Sequence, residues 1–86
     1  MTSAKKPETF ASQCLEHHKE QMARAIRMHV RKQNLSYTEA LPIFGLSRAG
    51  MSRVMNGKER EMTFETLYVA TVTAGITVSM QLFVHK

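Results

Sequence analysis

The strongest constraint on the fold is a helix start, a stop and a second start, all within residues 36–47. Ser36 and Glu39 have the spacing of a capping box, in which the serine side chain accepts from the third helical amide and the glutamate bonds back. This pattern predicts a helix that begins at Tyr37. Pro42 lacks an amide donor and keeps this helix short or kinked, and Gly45 is suited to end it.

A second short helix is predicted directly after this stop. Ser47 is its N-cap candidate, and Leu46 and Met51 take the two positions of a hydrophobic staple. Gly57 is suited to end the helix after about nine residues. Two short helices joined by a three-residue turn form a helix-turn-helix pattern, here over about 36–57.

The N-terminal third of the chain is predicted to be helical after a flexible polar tail at residues 1–8. We assign residues 9–86 to one domain. The stretch 9–34 contains neither glycine nor proline, and predicts one long helix or two helices that break near His17 and His18. A buried stripe is predicted at helical spacing: Met22, Ile26 and Val30. Another face, either solvated or close to phosphates, carries Arg24, Arg27 and Arg31.

The C-terminal third predicts a fourth helix and then a strand. Thr63 is suited to cap the helix and Gly75 to end it, although β-branched residues leave open a hairpin that turns at residues 74–75. From about residue 76 to 85 apolar and polar residues alternate, which predicts a half-buried strand. Its apolar face consists of Ile76, Val78, Met80, Leu82 and Val84. Because no other stretch is firmly strand-like, we expect it to pair with its own copy across a homodimer.

Composition narrows the class of protein further. A chain of 86 residues has marginal stability on its own, and the single cysteine, Cys14, excludes an internal disulfide. Dimerisation is therefore the expected source of extra stability, and a reducing cytoplasm the expected compartment. The net charge of +5 favours nucleic acid or an anionic membrane surface as partner. No apolar run approaches the roughly 18 residues that span a bilayer, so we expect no membrane insertion.

Neither a metal site nor a catalytic site is predicted. The chain contains no aspartate, and no nucleophile is spaced with a base and an orienting acid. The potential metal ligands have no ligand-type spacing: Cys14, His17, His18, His29 and His85. We therefore expect no metal, no cofactor and no enzymatic activity.

Residues 35–58 resemble the lambda-repressor-like family, the xenobiotic-response-element group of bacterial and phage regulators. The resemblance is carried without gaps by Leu35, Gly45, Leu46, Ser47, Met51, Ser52, Arg53, Val54, Gly57 and Lys58. Residues 63–67 and 75–76 are similar to the fourth helix of that family and its end. The resemblance covers roughly 22–76 and implies a mainly α-helical helix-turn-helix domain of four or five helices.

The chain departs from the family pattern in four ways. Pro42 is unusual in the second helix, and Ala40 and Leu41 reverse the usual order of large and small residues. The expected strand replaces a fifth helix. Gly50 lies inside the third helix, where it costs about 1 kcal/mol relative to alanine. The absence of a side chain at Gly50 either lets this helix approach a DNA duplex closely or lets it pack against another helix.

The resemblance implies which residues contact DNA. Base edges in the major groove would be contacted from the third helix by Arg48, Ala49, Ser52 and Arg53. Phosphates would be held by residues that flank the two helices: Ser36, Tyr37, Ser47, Asn56, Lys58 and Arg60.

Three functions fit these expectations. The first is a sequence-specific double-stranded DNA-binding regulator, a repressor that acts as a homodimer on an inverted repeat. The second is the antitoxin of a toxin–antitoxin pair, which would use the segment before Met22 to bind a toxin and would autoregulate its operon. The third is a basic interaction module that does not bind DNA.

Overall fold

The computed structural model describes residues 10–76, which are mainly α-helical. Four α-helices and one 3-10 turn (Glu59–Glu61) make up this part of the chain, which contains no strand. The α-helices are α1 (Phe10–Gln33), α2 (Tyr37–Phe44), α3 (Arg48–Met55) and α4 (Phe64–Thr73). The open question about the N-terminal third is thereby answered, because α1 runs without a break past His17 and His18.

The predicted helix starts are confirmed by hydrogen bonds. The Ser36 hydroxyl accepts from the Glu39 amide at 3.2 Å, and the Glu39 carboxylate accepts from the Ser36 amide at 2.9 Å, which completes the capping box of α2. Ser47 caps α3 and Thr63 caps α4 in the same N-cap geometry. Pro42 lies inside α2, which is only eight residues long, as expected of a helix that lacks one internal donor.

Each α-helix is followed, within two residues of its last helical residue, by a residue with left-handed backbone conformation. At the end of α2 this residue is Gly45 (φ 67°), and the amides of Gly45 and Leu46 both donate to the Leu41 carbonyl. At the end of α1 the same conformation is adopted by Asn34 (φ 55°), one of the few non-glycine residues that tolerate it. These tight stops turn the chain within two or three residues and keep α2 and α3 adjacent.

The core lies where α1 packs against α3 and α4 and where α2 closes the other side. Its buried apolar side chains come from all four helices and the turns between them: Met22, Ala23, Ile26, Val30, Ala40, Phe44, Leu46, Met51, Val54, Met62, Leu67 and Ala70. The predicted stripe on α1 is confirmed as part of this core. Both members of the α3 staple, Leu46 and Met51, are buried as well.

Ile76 was predicted to open a strand, but it completes the end of α4. Its amide donates to the Thr71 carbonyl at 2.9 Å, and its side chain is half-buried against the core. The hairpin alternative at residues 74–75 is wrong, because α4 is helical to Thr73 and Gly75 follows with φ 74°. Positions 77–85 of the predicted strand lie outside the described residues, as do Val78, Met80, Leu82 and Val84.

Candidate nucleic-acid interface

The outer face of α3 carries the four residues that the sequence assigns to base contacts. Arg48, Ala49 and Arg53 are exposed and Ser52 is half-buried, while Met51, one residue before Ser52, is fully buried. Spacings of three and four residues bring the four side chains onto one face of the helix. The structure therefore brings this predicted set together.

The beginning of α3 is electropositive. The Ser47 hydroxyl accepts from the Gly50 amide at 3.0 Å, which leaves the amides of Arg48 and Ala49 without partners inside the helix. No acidic residue lies in the first turn of α3, and the Arg48 side chain makes no ion pair within residues 10–76. The helix dipole and the arginine therefore add at this point, which favours an anionic group.

Arg53 is held loosely by a carboxylate. Its Nε atom lies 3.6 Å from Oε1 of Glu61, and the two side chains are 46% and 62% exposed. Exposed pairs of this kind contribute about 0–1 kcal/mol, so a stronger acceptor can displace the glutamate. Glu61 was not singled out by the sequence, because a partner eight residues away across a turn follows no helical spacing.

Some of the side chains predicted to contact phosphates already contact another residue of the chain, and others do not. Lys58 is exposed and has no side-chain partner within the described part of the chain. Asn56 donates to the Ser52 carbonyl and hydroxyl at 2.8 and 3.1 Å, which ties the end of α3 together. Arg60 lies 3.4 Å from Oε1 of Glu16 on α1, without hydrogen-bond geometry, and is 72% exposed.

The beginning of α2 is a poorer anion site than the beginning of α3. The Ser36 amide and hydroxyl are both engaged by the capping box, and Tyr37 is half-buried against the core. The carboxylate of Glu39 occupies the first turn and repels a phosphate there. Of these residues, the hydroxyl protons of Ser36 and Tyr37 and the Tyr37 backbone amide remain as donors.

Arg27 is the main residue whose role the sequence did not reveal. It was expected to be either solvated or close to a phosphate. Instead its Nη1 atom donates to the Val54 carbonyl at 2.7 Å and lies 3.3 Å from Oε1 of Glu59. The side chains of Arg27 and Glu59 are only 17% and 9% exposed, so this pair fixes the end of α3 to α1. The available signal in the sequence was Ala23, a small apolar residue one helical turn earlier on the same face.

Gly50 faces inward, which decides between its two interpretations. It is buried, and a Cβ atom there would lie 3.6 Å from Leu46 and 3.7 Å from Met62. It therefore serves helix packing and does not lie on the exposed face with Arg48 and Arg53.

The chain matches no protein-family model, no curated protein and no solved structure. Within residues 10–76 no helix is both long enough and apolar enough to cross a membrane. The same residues contain no group of three or more histidine, cysteine or glutamate side chains that could hold a metal ion. Function must therefore be inferred from the geometry described above.

Proposed function

We propose that this chain is a lambda-repressor-like helix-turn-helix protein that binds double-stranded DNA sequence-specifically in the cytoplasm. It acts as a homodimer and represses transcription from an inverted-repeat operator. It is a binding protein, with no catalytic role and no cofactor. In this proposal α3 enters the major groove, and α2 crosses the phosphate backbone beside it.

The observation that carries the proposal is the outer face of α3. Arg48 and Arg53 are exposed at its two ends, with the small residues Ala49 and Ser52 between them. A guanidinium can donate to O6 and N7 of guanine together, and an alanine methyl group can contact the thymine methyl group. Because the small residues leave room between the arginines, the helix can approach base edges closely.

Backbone contacts would come from the residues that follow α3. Lys58 is unpaired within the described residues and lies one residue beyond the Gly57 turn. The Arg60 side chain is 72% exposed and contacts Glu16 without a hydrogen bond, so it can reorient towards a phosphate. These contacts would fix the position of α3 without reading sequence.

Selection of duplexes from a random pool, followed by salt titration, tests this proposal. We expect an inverted repeat whose half-site centres are roughly 34 Å apart, one turn of the double helix. The logarithm of affinity should fall linearly with the logarithm of salt concentration, with a slope of about −0.9 per phosphate neutralised. No enrichment of any sequence, together with an affinity that does not change with salt, would reject the proposal.

A second candidate function, the antitoxin of a toxin–antitoxin pair, is favoured by the start of α1. None of the residues 10–18 is buried, and Leu15 is 42% exposed. A cleft of about 310 Å³ separates this segment from the turn after α3 and is lined by Gln13, Glu16, His17, Glu20, Gly57, Glu59 and Arg60. The exposed Leu15 and the glutamate residues beside it suit a protein partner better than DNA.

Co-expression with a growth-inhibiting protein encoded beside this chain would distinguish the two functions. An antitoxin would restore growth, and Leu15→Asp would abolish the rescue while DNA binding persists. If no neighbouring gene product inhibits growth, the DNA-binding regulator remains as the proposal.

A further inference from the structure

The outer face of α4 is apolar and has no partner within the described residues. Tyr68, Val69 and Val72 are 47%, 52% and 57% exposed. The half-buried ring of Phe64 stacks on Tyr68 with 6.1 Å between ring centroids, so the apolar row continues to the beginning of the helix. We call Phe64, Tyr68, Val69 and Val72 the α4 face.

This composition is unusual for a solvated helix surface. Valine is a weaker helix former than the alanine, leucine, lysine or glutamate residues that normally fill exposed positions. Val69 and Val72 lie about one helical turn apart and next to Tyr68. Exposed at these positions, the two valines neither stabilise the helix nor interact well with water. Contiguous exposed apolar groups of this kind mark an interaction surface.

The α4 face continues into a groove. Val69 also lines a depression of about 280 Å³ between α4 and the turn that joins α2 to α3. Its other lining residues are apolar or small on one side and polar at the start of α4: Phe44, Gly45, Leu46, Ala70, Glu65 and Thr66. This groove is wide enough to accept an apolar side chain from a partner. The interaction surface therefore combines a ridge and a depression.

Charge excludes two classes of occupant. Residues 64–76 contain no lysine and no arginine, and their only charged residue is Glu65. Nucleic acid and anionic lipid both require positive charge at the surface that they contact. Of the macromolecular partners, an apolar segment of protein therefore fits this surface best.

We propose that the α4 face binds residues 77–86 of a second copy of this chain. The ten residues follow Ile76, which is fixed at the end of α4, and they include Val78, Met80, Leu82 and Val84 at every second position. An extended chain of ten residues spans about 33 Å and α4 about 15 Å, so the segment is long enough to cover the face.

Two arguments assign the segment to a second copy. An alternating segment needs a strand partner for its backbone, and residues 10–76 contain no strand, whereas two copies can pair with each other about a two-fold axis. The α4 face alone is also too small for the roughly 800 Å² that each partner of a stable interface buries. Paired segments that lie across both α4 faces enlarge the contact. This inference rests on the homodimer in the proposed function and identifies its surface.

Disulfide trapping with the full-length chain tests this arrangement. In a Cys14→Ser background, one copy carries Val72→Cys and the other carries a single cysteine at position 78, 80, 82 or 84. We expect covalent mixed dimers under mild oxidation, several-fold more abundant than with matched cysteines at 79, 81 or 83, since alternate side chains point to opposite faces of a strand.

Sedimentation equilibrium provides a measurement that does not depend on cysteine chemistry. Val72→Asp should raise the dimer dissociation constant at least tenfold while the helical content measured by circular dichroism is unchanged. Met28→Asp is the matched control, because Met28 is 63% exposed on α1 and lies outside the α4 face. It should leave the dissociation constant unchanged.

Two outcomes would overturn the inference. One is the absence of mixed dimers when a further variant, which carries both cysteines in one chain, forms the disulfide internally, because the segment would then cover its own α4. The other is an equal effect of Val72→Asp and Met28→Asp on dimerisation, with no trapped dimer. DNA titration of the same samples keeps the tests separate: a trapped dimer that binds no duplex would reject the proposed function alone.

Discussion

Two arginine–glutamate pairs in this small domain have nearly the same separation and very different surroundings. Arg27 and Glu59 lie 3.3 Å apart with side chains 17% and 9% exposed, whereas Arg53 and Glu61 lie 3.6 Å apart with side chains 46% and 62% exposed. Distance therefore does not distinguish them. Burial decides that the first pair is structural and that the second is free to exchange its partner.

The buried pair also satisfies a helix end. Arg27 donates to the Val54 carbonyl at 2.7 Å in the last turn of α3, where the Gly57 amide is a second, longer donor at 3.3 Å. The exposed pair does nothing comparable, because Arg53 contacts only a carboxylate that water can replace. In our proposal, the first arginine orients α3 and the second uses that orientation to contact DNA.

Removal of the buried arginine should have the largest effect. Arg27→Ala leaves the Glu59 carboxylate buried without its arginine and removes the shorter of two hydrogen bonds to the Val54 carbonyl, so we expect a loss of about 3 kcal/mol in the free energy of unfolding. Urea denaturation monitored by circular dichroism measures this loss of stability. Arg24→Ala, an exposed arginine on the same helix with no ion pair in the described part of the chain, should cost less than about 0.5 kcal/mol. Equal losses in the two variants would remove the contrast between the pairs.

Removal of the exposed arginine should affect DNA binding instead. We expect Arg53→Ala to weaken binding to the selected operator about ten- to a hundredfold, since a bidentate guanine contact contributes about 1–3 kcal/mol. Its affinity for random duplex and its unfolding free energy should hardly change. Lys58→Ala, a predicted phosphate contact, should weaken both kinds of binding equally and make the salt slope shallower. If Arg53→Ala behaved like Lys58→Ala, Arg53 would be a phosphate anchor.

The contrast between the two pairs also shows what the sequence could reveal. Ser36, Gly45, Ser47 and Thr63 act on neighbouring residues, so the starts of three helices and the end of α2 could be predicted from spacing alone. The partners of Arg27 lie 27 and 32 residues away, and no local pattern encodes them. The candidate interface was predictable as one face of α3, but which of its side chains are already engaged was not.

Gly50 lies on the buried side of α3, and its substitution should have a smaller effect on stability, opposite in sign to that of Arg27→Ala. An alanine Cβ there would meet ordinary contacts of 3.4 Å or more, with Ser47 the nearest neighbour. Gly50→Ala should therefore stabilise the fold by about 0.5–1 kcal/mol through helix propensity, as measured by urea denaturation. Because Gly50 faces the core, operator affinity should not change. Weaker DNA binding by a more stable variant would place Gly50 in the interface after all.

The smallest expected effect tests whether the exposed pair competes with DNA. Glu61→Gln removes the carboxylate beside Arg53 and should raise operator affinity about two- to threefold at low salt, since exposed pairs contribute at most about 1 kcal/mol. Glu20→Gln changes the net charge equally on α1 and controls for general repulsion of phosphates. In the Arg53→Ala background the gain from Glu61→Gln should fall to that of the control, because the glutamate then has no arginine to release. A gain that persists there would show that Glu61 repels the duplex directly and that its pairing with Arg53 is incidental.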